Sequence, residues 1–135
     1  MAFTRAPYGT IQATTLLIRD ATINASAENN VAPGAASIKT IVVDNSLNPT
    51  QRVHLKLYNS VAPTVGTTTP EIILPVAGGT IMECVVVGTS GVLPTFAPGG
   101  VTFTTAVSVA CVEEPGTAGT TPPTNATSLA MTLTT

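Results

Sequence analysis

Few residues in this sequence are of types that carry out chemistry. The chain has one histidine, His54, which could polarise a substrate or bind a metal ion. No Cys, Asp or Glu stands near it in sequence at the spacing of a metal site. No nucleophile-elbow sequence points to a strained, exposed hydroxyl that His54 could activate. We therefore expect no catalytic residue, no metal site and no cofactor.

The acidic residues and the glycines also indicate no catalytic or phosphate-binding site. Glu113 and Glu114 form an acidic pair, but neighbours on a strand face opposite sides, so the two carboxylates cannot converge on one glycosidic bond. We expect them to end a strand in solvent. The glycine pairs at 78–79 and 99–100 lack the pattern of a phosphate-binding loop and are interpreted as turns.

Two cysteines and two short motifs need a structural interpretation. Cys84 and Cys111 lie in apolar, strand-like runs, which favours buried free thiols over the alternative of a disulfide. The tripeptides beginning at Asn24 and Asn125 match the acceptor pattern for N-glycosylation. Since no signal peptide is evident, we interpret both matches as chance.

Charge is unusually scarce. Charged residues make up 9% of the 135-residue chain and apolar residues 44%, whereas a soluble domain usually has about 25% charged residues. The net charge is −2, and apart from the pair Glu113 and Glu114 the like charges are scattered singly, so neither a phosphate-binding stripe nor an acidic run exists, and nucleic acid is not an expected partner. The surface must be largely Thr, Ser, Ala, Asn and Pro, which favours extensive contact with other protein subunits. The alternative is a weakly charged β-domain that merely tolerates such a surface.

Neither a signal peptide nor a membrane span is predicted. The first nine residues contain no apolar run, and no later stretch approaches the roughly 20 apolar residues of a spanning helix. We expect synthesis in a cytoplasm and no membrane partner.

The chain is rich in Thr and Val, and Gly and Pro, 11 of each, interrupt it at short intervals. This pattern predicts short strands joined by turns. The predicted strands cover residues 10–19, 38–44, 52–59, 71–76, 81–87, 101–112 and 128–134, with a further short strand around 21–25 in an otherwise polar segment.

Turn residues between these strands predict two hairpins, one from 38–44 and 52–59 and the other from 71–76 and 81–87. Pro75 indicates a sheet edge or a bend. The strand at 52–59 has the clearest alternation, with three apolar residues predicted to face the core and three polar ones a wetter surface: Val53, Leu55 and Leu57 against His54, Lys56 and Tyr58.

Alternation also predicts one long strand over 101–112, in which every second residue faces inward: Val101, Phe103, Thr105, Val107, Val109 and Cys111. It predicts a last strand whose inward face is Leu129, Met131 and Leu133. Seven to eight strands without helices predict an all-β fold. We expect an antiparallel β-sandwich of Greek-key or jelly-roll type. Residues 11–135 are predicted to form this single domain, preceded by an N-terminal arm at 1–10.

The arm carries candidate interface residues. Arg and aromatic side chains are common interface anchors, so the arm could clamp a neighbouring subunit through Phe3, Arg5, Pro7 and Tyr8. A frayed terminus, or a strand that folds back on its own domain, is the alternative.

Three segments resemble small structural proteins of tailed bacteriophages. They are the strand at 38–46, the Leu-Lys-Leu-Tyr-Asn run at 55–59, and the Pro-Thr-Val-Gly-Thr-Thr-Thr-Pro loop at 63–70, followed by the apolar strand at 71–76 and a later Thr-rich strand at 101–107. In the family a Gly often follows the pair of threonines that corresponds to Thr104 and Thr105, and here Ala106 stands in its place. The matched motifs contain no catalytic or ligand residue.

The resemblance implies a virion component without a cofactor, of the capsid cement or decoration type. Such a protein binds the major capsid protein and is frequently a homotrimer. Two other functions stay open: a tail, neck or baseplate subunit, and a carbohydrate- or receptor-binding β-sandwich on the virion surface.

Overall fold

The computed structural model describes residues 3–7, 15–86, 95–96 and 101–135, and these residues form eleven strands and no helix. Consequently none of the described segments is a helix that could span a membrane. The strands are β1 (Phe3–Pro7), β2 (Thr15–Ile23), β3 (Glu28–Pro33), β4 (Ala36–Asp44), β5 (Val53–Tyr58), β6 (Ile72–Val76), β7 (Ile81–Val86), β8 (Thr95–Phe96), β9 (Val101–Phe103), β10 (Ala106–Val112) and β11 (Thr127–Thr134).

These strands form two sheets. One has seven strands in the order β1-β2-β11-β4-β7-β8, with β9 also paired to β4, and the other has four in the order β3-β10-β5-β6. Every pairing is antiparallel except that of β7 with β8. The predicted all-β class and antiparallel sandwich are confirmed. The predicted strand number was too low, in part because the polar segment at 21–37 contains β3.

Both predicted hairpins are wrong. Strand β4 lies in the seven-stranded sheet and pairs with β7, with Ile41 opposite Cys84. Strand β5 lies in the four-stranded sheet and pairs with β6, with Leu55 opposite Leu74. The turns after β4 and β6 therefore carry the chain across the end of the sandwich from one sheet to the other, and a turn-rich sequence does not distinguish such a crossing from a hairpin.

The two crossings lie side by side. The amide of Asn45 donates to the carbonyl of Thr80 (2.9 Å), and the amide of Gly79 donates to the carbonyl of Asn48 (3.0 Å). A Cβ at Gly78 would lie 2.8 Å from the amide nitrogen of Gln51 and 2.9 Å from the carbonyl of Asn48. The close approach of the two backbones is the reason that glycine stands at position 78.

The predicted strand over 101–112 is in fact two strands in different sheets. Strand β9 pairs with β4, whereas β10 lies between β3 and β5. The chain bends at Thr104 and Thr105, whose amides both donate to Oδ1 of Asn59 (3.1 and 2.8 Å). Thr105, predicted to face inward, is exposed.

Apolar side chains from both sheets fill the space between them. The predicted inward face of β11 is confirmed, and it packs with Ile41 of β4, Leu55 of β5 and Phe103 of β9. Each side chain of this size contributes roughly 1.5–3 kcal/mol when it is fully buried. Pro75 lies in β6, which is the edge strand that its missing N–H predicted.

The wetter face predicted for β5 is wrong, because all six of its residues are buried. Both faces of β10 are buried as well. The inner faces meet the seven-stranded sheet, and the outer face of β5 lies under the segment that follows β10. This burial of the outer face brings His54, Lys56 and Tyr58 into the interior.

Asp20 is an unusual core residue on β2. It is 3% exposed; its Oδ1 accepts a hydrogen bond from the amide of Thr22 (2.8 Å), while its Oδ2 is buried and has no partner among the described residues. Burial raises the pKa of Asp20. Burial also raises the pKa of Glu28 on β3, and the charge of Asp20 adds to that rise. Both carboxyl groups therefore bind a proton more readily in the folded chain than in the unfolded one.

The substitution Asp20→Asn is expected to stabilise the protein at neutral pH. Because the folded pKa is raised, stability is highest below the unfolded value and falls as pH rises through the folded value. An amide keeps the acceptor for Thr22 and removes the buried charge, so we expect the free energy of unfolding at pH 7 to rise, by no more than about 1 kcal/mol because the new amide donors also need partners. Urea unfolding between pH 4 and pH 8 measures this change and the flatter pH dependence.

Asp44→Asn is the matched control. Hydrogen bonds from Ser46 lower the pKa of Asp44, so its charge favours folding above the unfolded pKa and its replacement should act in the opposite direction. Equal pH profiles for wild type and Asp20→Asn would contradict the account.

Candidate functional site

His54 binds a backbone carbonyl of its own chain. It is 7% exposed, and its Nδ1 lies 2.7 Å from the carbonyl oxygen of Glu113. A carbonyl accepts but cannot donate, so the proton is assigned to Nδ1 of the ring. Among the described residues no group of three metal-ligating side chains is present. The ring thus fixes the segment that leaves β10.

Lys56, the next outward residue of β5, is fully buried. Its Nζ donates to the carbonyls of Thr117 (3.1 Å) and Gly119 (2.7 Å). Burial lowers the pKa of this ammonium, and the carboxylate of Glu114 opposes that change. A buried lysine is costly unless its donors are used, and here two backbone carbonyls use them.

The segment that binds Lys56 is a closed loop, residues 113–121. The amide of Glu113 donates to the carbonyl of Thr121 (2.8 Å). The amide and the hydroxyl of Thr121 donate to the carboxylate of Glu114, and these hydrogen bonds lower its pKa. The loop also meets the turn after β5, since a Cβ at Gly66 would lie 2.5 Å from Cγ2 of Thr120.

Glu113 and Glu114 follow β10 as predicted, but they do not simply end it in solvent. Both are half-buried, and Oε1 of Glu113 accepts from Nε2 of Gln51 (2.7 Å). The carboxylate of Glu113 binds Gln51 outside the loop, whereas that of Glu114 binds Thr121 within it, so the two carboxylates do not converge on one site. Tyr58, the outward residue that follows Lys56 on β5, is also fully buried, and burial raises the pKa of its hydroxyl.

A second polar cluster holds the crossing after β4. Asn48 is 2% exposed, and its Nδ2 lies within donating distance of Oδ1 of Asn45 (2.9 Å), the carbonyl of Asn125 (3.1 Å) and Oγ1 of Thr127 (3.3 Å). Its Oδ1 accepts from the amide of Asn125 (2.7 Å). Asn45 in turn donates to the carbonyls of Gln51 and Ala77. Asn48 therefore ties both crossings to the chain entering β11.

Sequence reasoning missed this cluster, because the turn residues between the predicted strands at 38–44 and 52–59, which include Asn45 and Asn48, predict only a hairpin. A signal was present in the density of amide side chains at 45, 48 and 51. The partners of Asn48 and Gln51 in the segment before β11 lie about 75 residues further along the chain, and such a distance in sequence hides the contact.

The two cysteines are buried and free. Burial raises the pKa of Cys84 and raises that of Cys111 to about 12. A thiol with so high a pKa is a poor nucleophile and metal ligand at neutral pH. The predicted free thiols are confirmed.

Three of the four candidate interface residues, Phe3, Arg5 and Pro7, lie on an edge strand. β1 pairs with β2, with Phe3 opposite Asp20, Arg5 opposite Ile18 and Pro7 opposite Leu16. Phe3 is half-buried against the core. The segment at 3–7 thus folds back on its own domain, while Tyr8 lies outside the described residues.

The tripeptides at Asn24 and Asn125 line one open cleft of about 420 Å³. Its other lining residues include Pro122, Pro123 and Thr124. Oδ1 of Asn24 accepts from the amide of Ser26, and Nδ2 of Asn125 donates to the carbonyl of Leu47. The lining has no charged or aromatic side chain, so it offers no platform on which a sugar ring could stack.

Comparison with known proteins gave no match to a family model, a curated protein or a solved structure.

The substitution Asn48→Asp should be strongly destabilising. It replaces the buried donor by a carboxylate oxygen that faces Oδ1 of Asn45 and the carbonyl of Asn125, so we expect a loss of about 3 kcal/mol at pH 7. The pKa of the new carboxyl will be raised, and the loss should shrink as pH falls because the protonated group regains one donor. Urea unfolding at pH 4 and pH 7 measures both effects.

Asn59→Asp is the control, because Oδ1 of the half-buried Asn59 accepts two amide hydrogen bonds that an aspartate would also accept. We expect it to change stability by less than about 1 kcal/mol. A loss at Asn48 no larger than the loss at Asn59 would show that the cluster does not hold the crossings.

Proposed function

We propose that this chain is a structural protein of a virion, a cement or decoration protein that binds the major capsid protein and stabilises the head shell. One observation carries the proposal: the polar groups that could do chemistry hold the chain's own loops. His54, Lys56 and Glu113 all bind the 113–121 region or its neighbours. What the protein offers to other molecules is its surface.

That surface suits protein contact. It is poor in charge, so little desolvation opposes association, and its Thr-rich strands offer β-branched side chains for close packing. A shell under internal pressure gains from a part that bridges neighbouring subunits. The resemblance of residues 38–76 and 101–107 to small phage structural proteins supports the same role. The oligomer implied by that resemblance, a homotrimer, is part of the proposal.

The two other functions separate clearly from this one. A tail, neck or baseplate subunit would be present in about a dozen copies or fewer per particle, whereas a shell protein would be present in hundreds of copies. A glycan-binding protein would need a site with an aromatic platform, which the cleft at Asn24 and Asn125 does not supply among its lining residues.

We expect hundreds of copies per purified particle, by quantitative gel densitometry, and retention of the protein through washing at about 1 M salt. Because contact through apolar and neutral polar surface is only weakly screened by salt, denaturant rather than salt should release it. A copy number near twelve would contradict the shell location. Release by moderate salt alone would contradict the proposed mode of binding.

A further inference from the structure

The outer face of the seven-stranded sheet carries one row of four side chains across four strands. Arg19 of β2 lies opposite Ala130 of β11, Ala130 lies opposite Val42 of β4, and Val42 lies opposite Glu83 of β7. Each is flanked along its strand by residues that are buried in the core or packed against it, so each projects outward. Arg19 and Glu83 are exposed, and Ala130 and Val42 are half-buried.

Across these four strands the row has a cation on β2, an anion on β7 and two small apolar residues between them, and the exposed Thr4 of β1 continues it beyond Arg19. Neighbouring strands lie about 4.8 Å apart, so Arg19 and Glu83 are separated by about 14 Å. This distance is too long for a direct ion pair within the chain. The two charges therefore do not pair with each other, and both are exposed to the charges of a second molecule.

The adjacent row on the same face carries a large exposed apolar residue on β7. Ser128 of β11 lies opposite Asp44 of β4, which lies opposite Ile81 of β7. Ile81 is 56% exposed, which is unusual for so large an apolar side chain. On the side of the face opposite to Ile81, strand β2 carries the small side chain of Ala21. Ala21, Val42 and Ala130 line a shallow groove of about 250 Å³ there.

We propose that this face binds a second copy of the chain, related by a two-fold axis that runs along the strands between β11 and β4. Rotation about this axis places Arg19 over Glu83 of the other copy, and Glu83 over its Arg19. Ala130 then packs on Val42 of the other copy, and Ile81 meets the flank that carries Ala21. Sheets packed face to face keep their strands within about 30° of each other, as this arrangement requires.

The charges select this axis over the alternative. A two-fold axis in the interface plane but perpendicular to the strands also aligns the strands, yet when it passes along this row it places Arg19 over Arg19 and Glu83 over Glu83. Like charges in contact disfavour that arrangement. The row is thus self-complementary for one two-fold arrangement and repulsive for the other.

The face is large enough for such a contact. Strands β2, β4 and β11 have eight or nine residues, so with β7 they cover an area of roughly 27 by 19 Å at the usual strand spacings. That gives about 500 Å² of flat area for each copy, at the lower end of what a specific protein–protein contact requires. We therefore expect a reversible dimer of the purified chain in solution, which is distinct from the homotrimer proposed above for the particle. The inference does not depend on the virion role, because its test uses the purified chain alone.

Sedimentation velocity from about 1 μM to about 500 μM tests the proposal. Wild type should show a monomer–dimer equilibrium. Arg19→Glu and Glu83→Arg should each weaken dimerisation by about tenfold or more, because each places like charges in contact. The double variant should recover most of the loss, since the pairing is restored with the charges exchanged. Ala130→Arg, which puts a charge beside the axis, should abolish the dimer.

Arg52→Glu is the matched control, since Arg52 is exposed and precedes β5 of the other sheet; it should leave the equilibrium unchanged. Thermal unfolding should show that every variant folds. A chain that stays monomeric throughout would overturn the proposal. So would a dimer or trimer that is indifferent to both charge reversals, or reversals that the double variant fails to rescue.

Discussion

The structure depends on covering the outer face of the four-stranded sheet. Strand β5 presents Lys56 on that face with no exposure to solvent, and a buried ammonium without acceptors would be too costly to keep. The carbonyls of Thr117 and Gly119 supply the acceptors. The loop at 113–121 must therefore lie on the sheet, and once it does, β5 and β10 are interior strands on both faces.

The same loop connects to the end of the sandwich where the chain changes sheets. Glu113 accepts a hydrogen bond from Gln51, and the oxygen of the Gln51 side chain accepts from the amide of Thr124. Asn48 then holds Asn125 at the start of β11. Buried amide groups suit this role because they donate and accept without bringing a charge into the interior. The two sheets therefore differ: one is covered by the chain's own loops, and the outer face of the other carries the exposed side chains of Arg19 and Glu83.

Much of the fold could be predicted from local pattern. Alternation located β5 and β11, and the missing N–H of Pro75 placed β6 at an edge. Local pattern failed where contacts join distant parts of the chain. The alternation at 53–58 correctly indicated a strand, but its polar face is buried because a loop 60 residues away returns to it. The break between β9 and β10 depends on Asn59, about 45 residues earlier. The crossings after β4 and β6 could not be told from hairpins, since a crossing and a hairpin begin with the same kinds of turn residue.

Native-state hydrogen exchange of the wild-type chain tests the central claim most directly. If the buried polar groups hold the loop on the sheet, then the amides of Glu113 and Asn125, which donate to Thr121 and Asn48, should exchange only through global unfolding. Their protection should equal that of the amides in β5 and β10. Rapid exchange of these two amides while β5 and β10 stay protected would show that the loop opens freely, and would contradict the account.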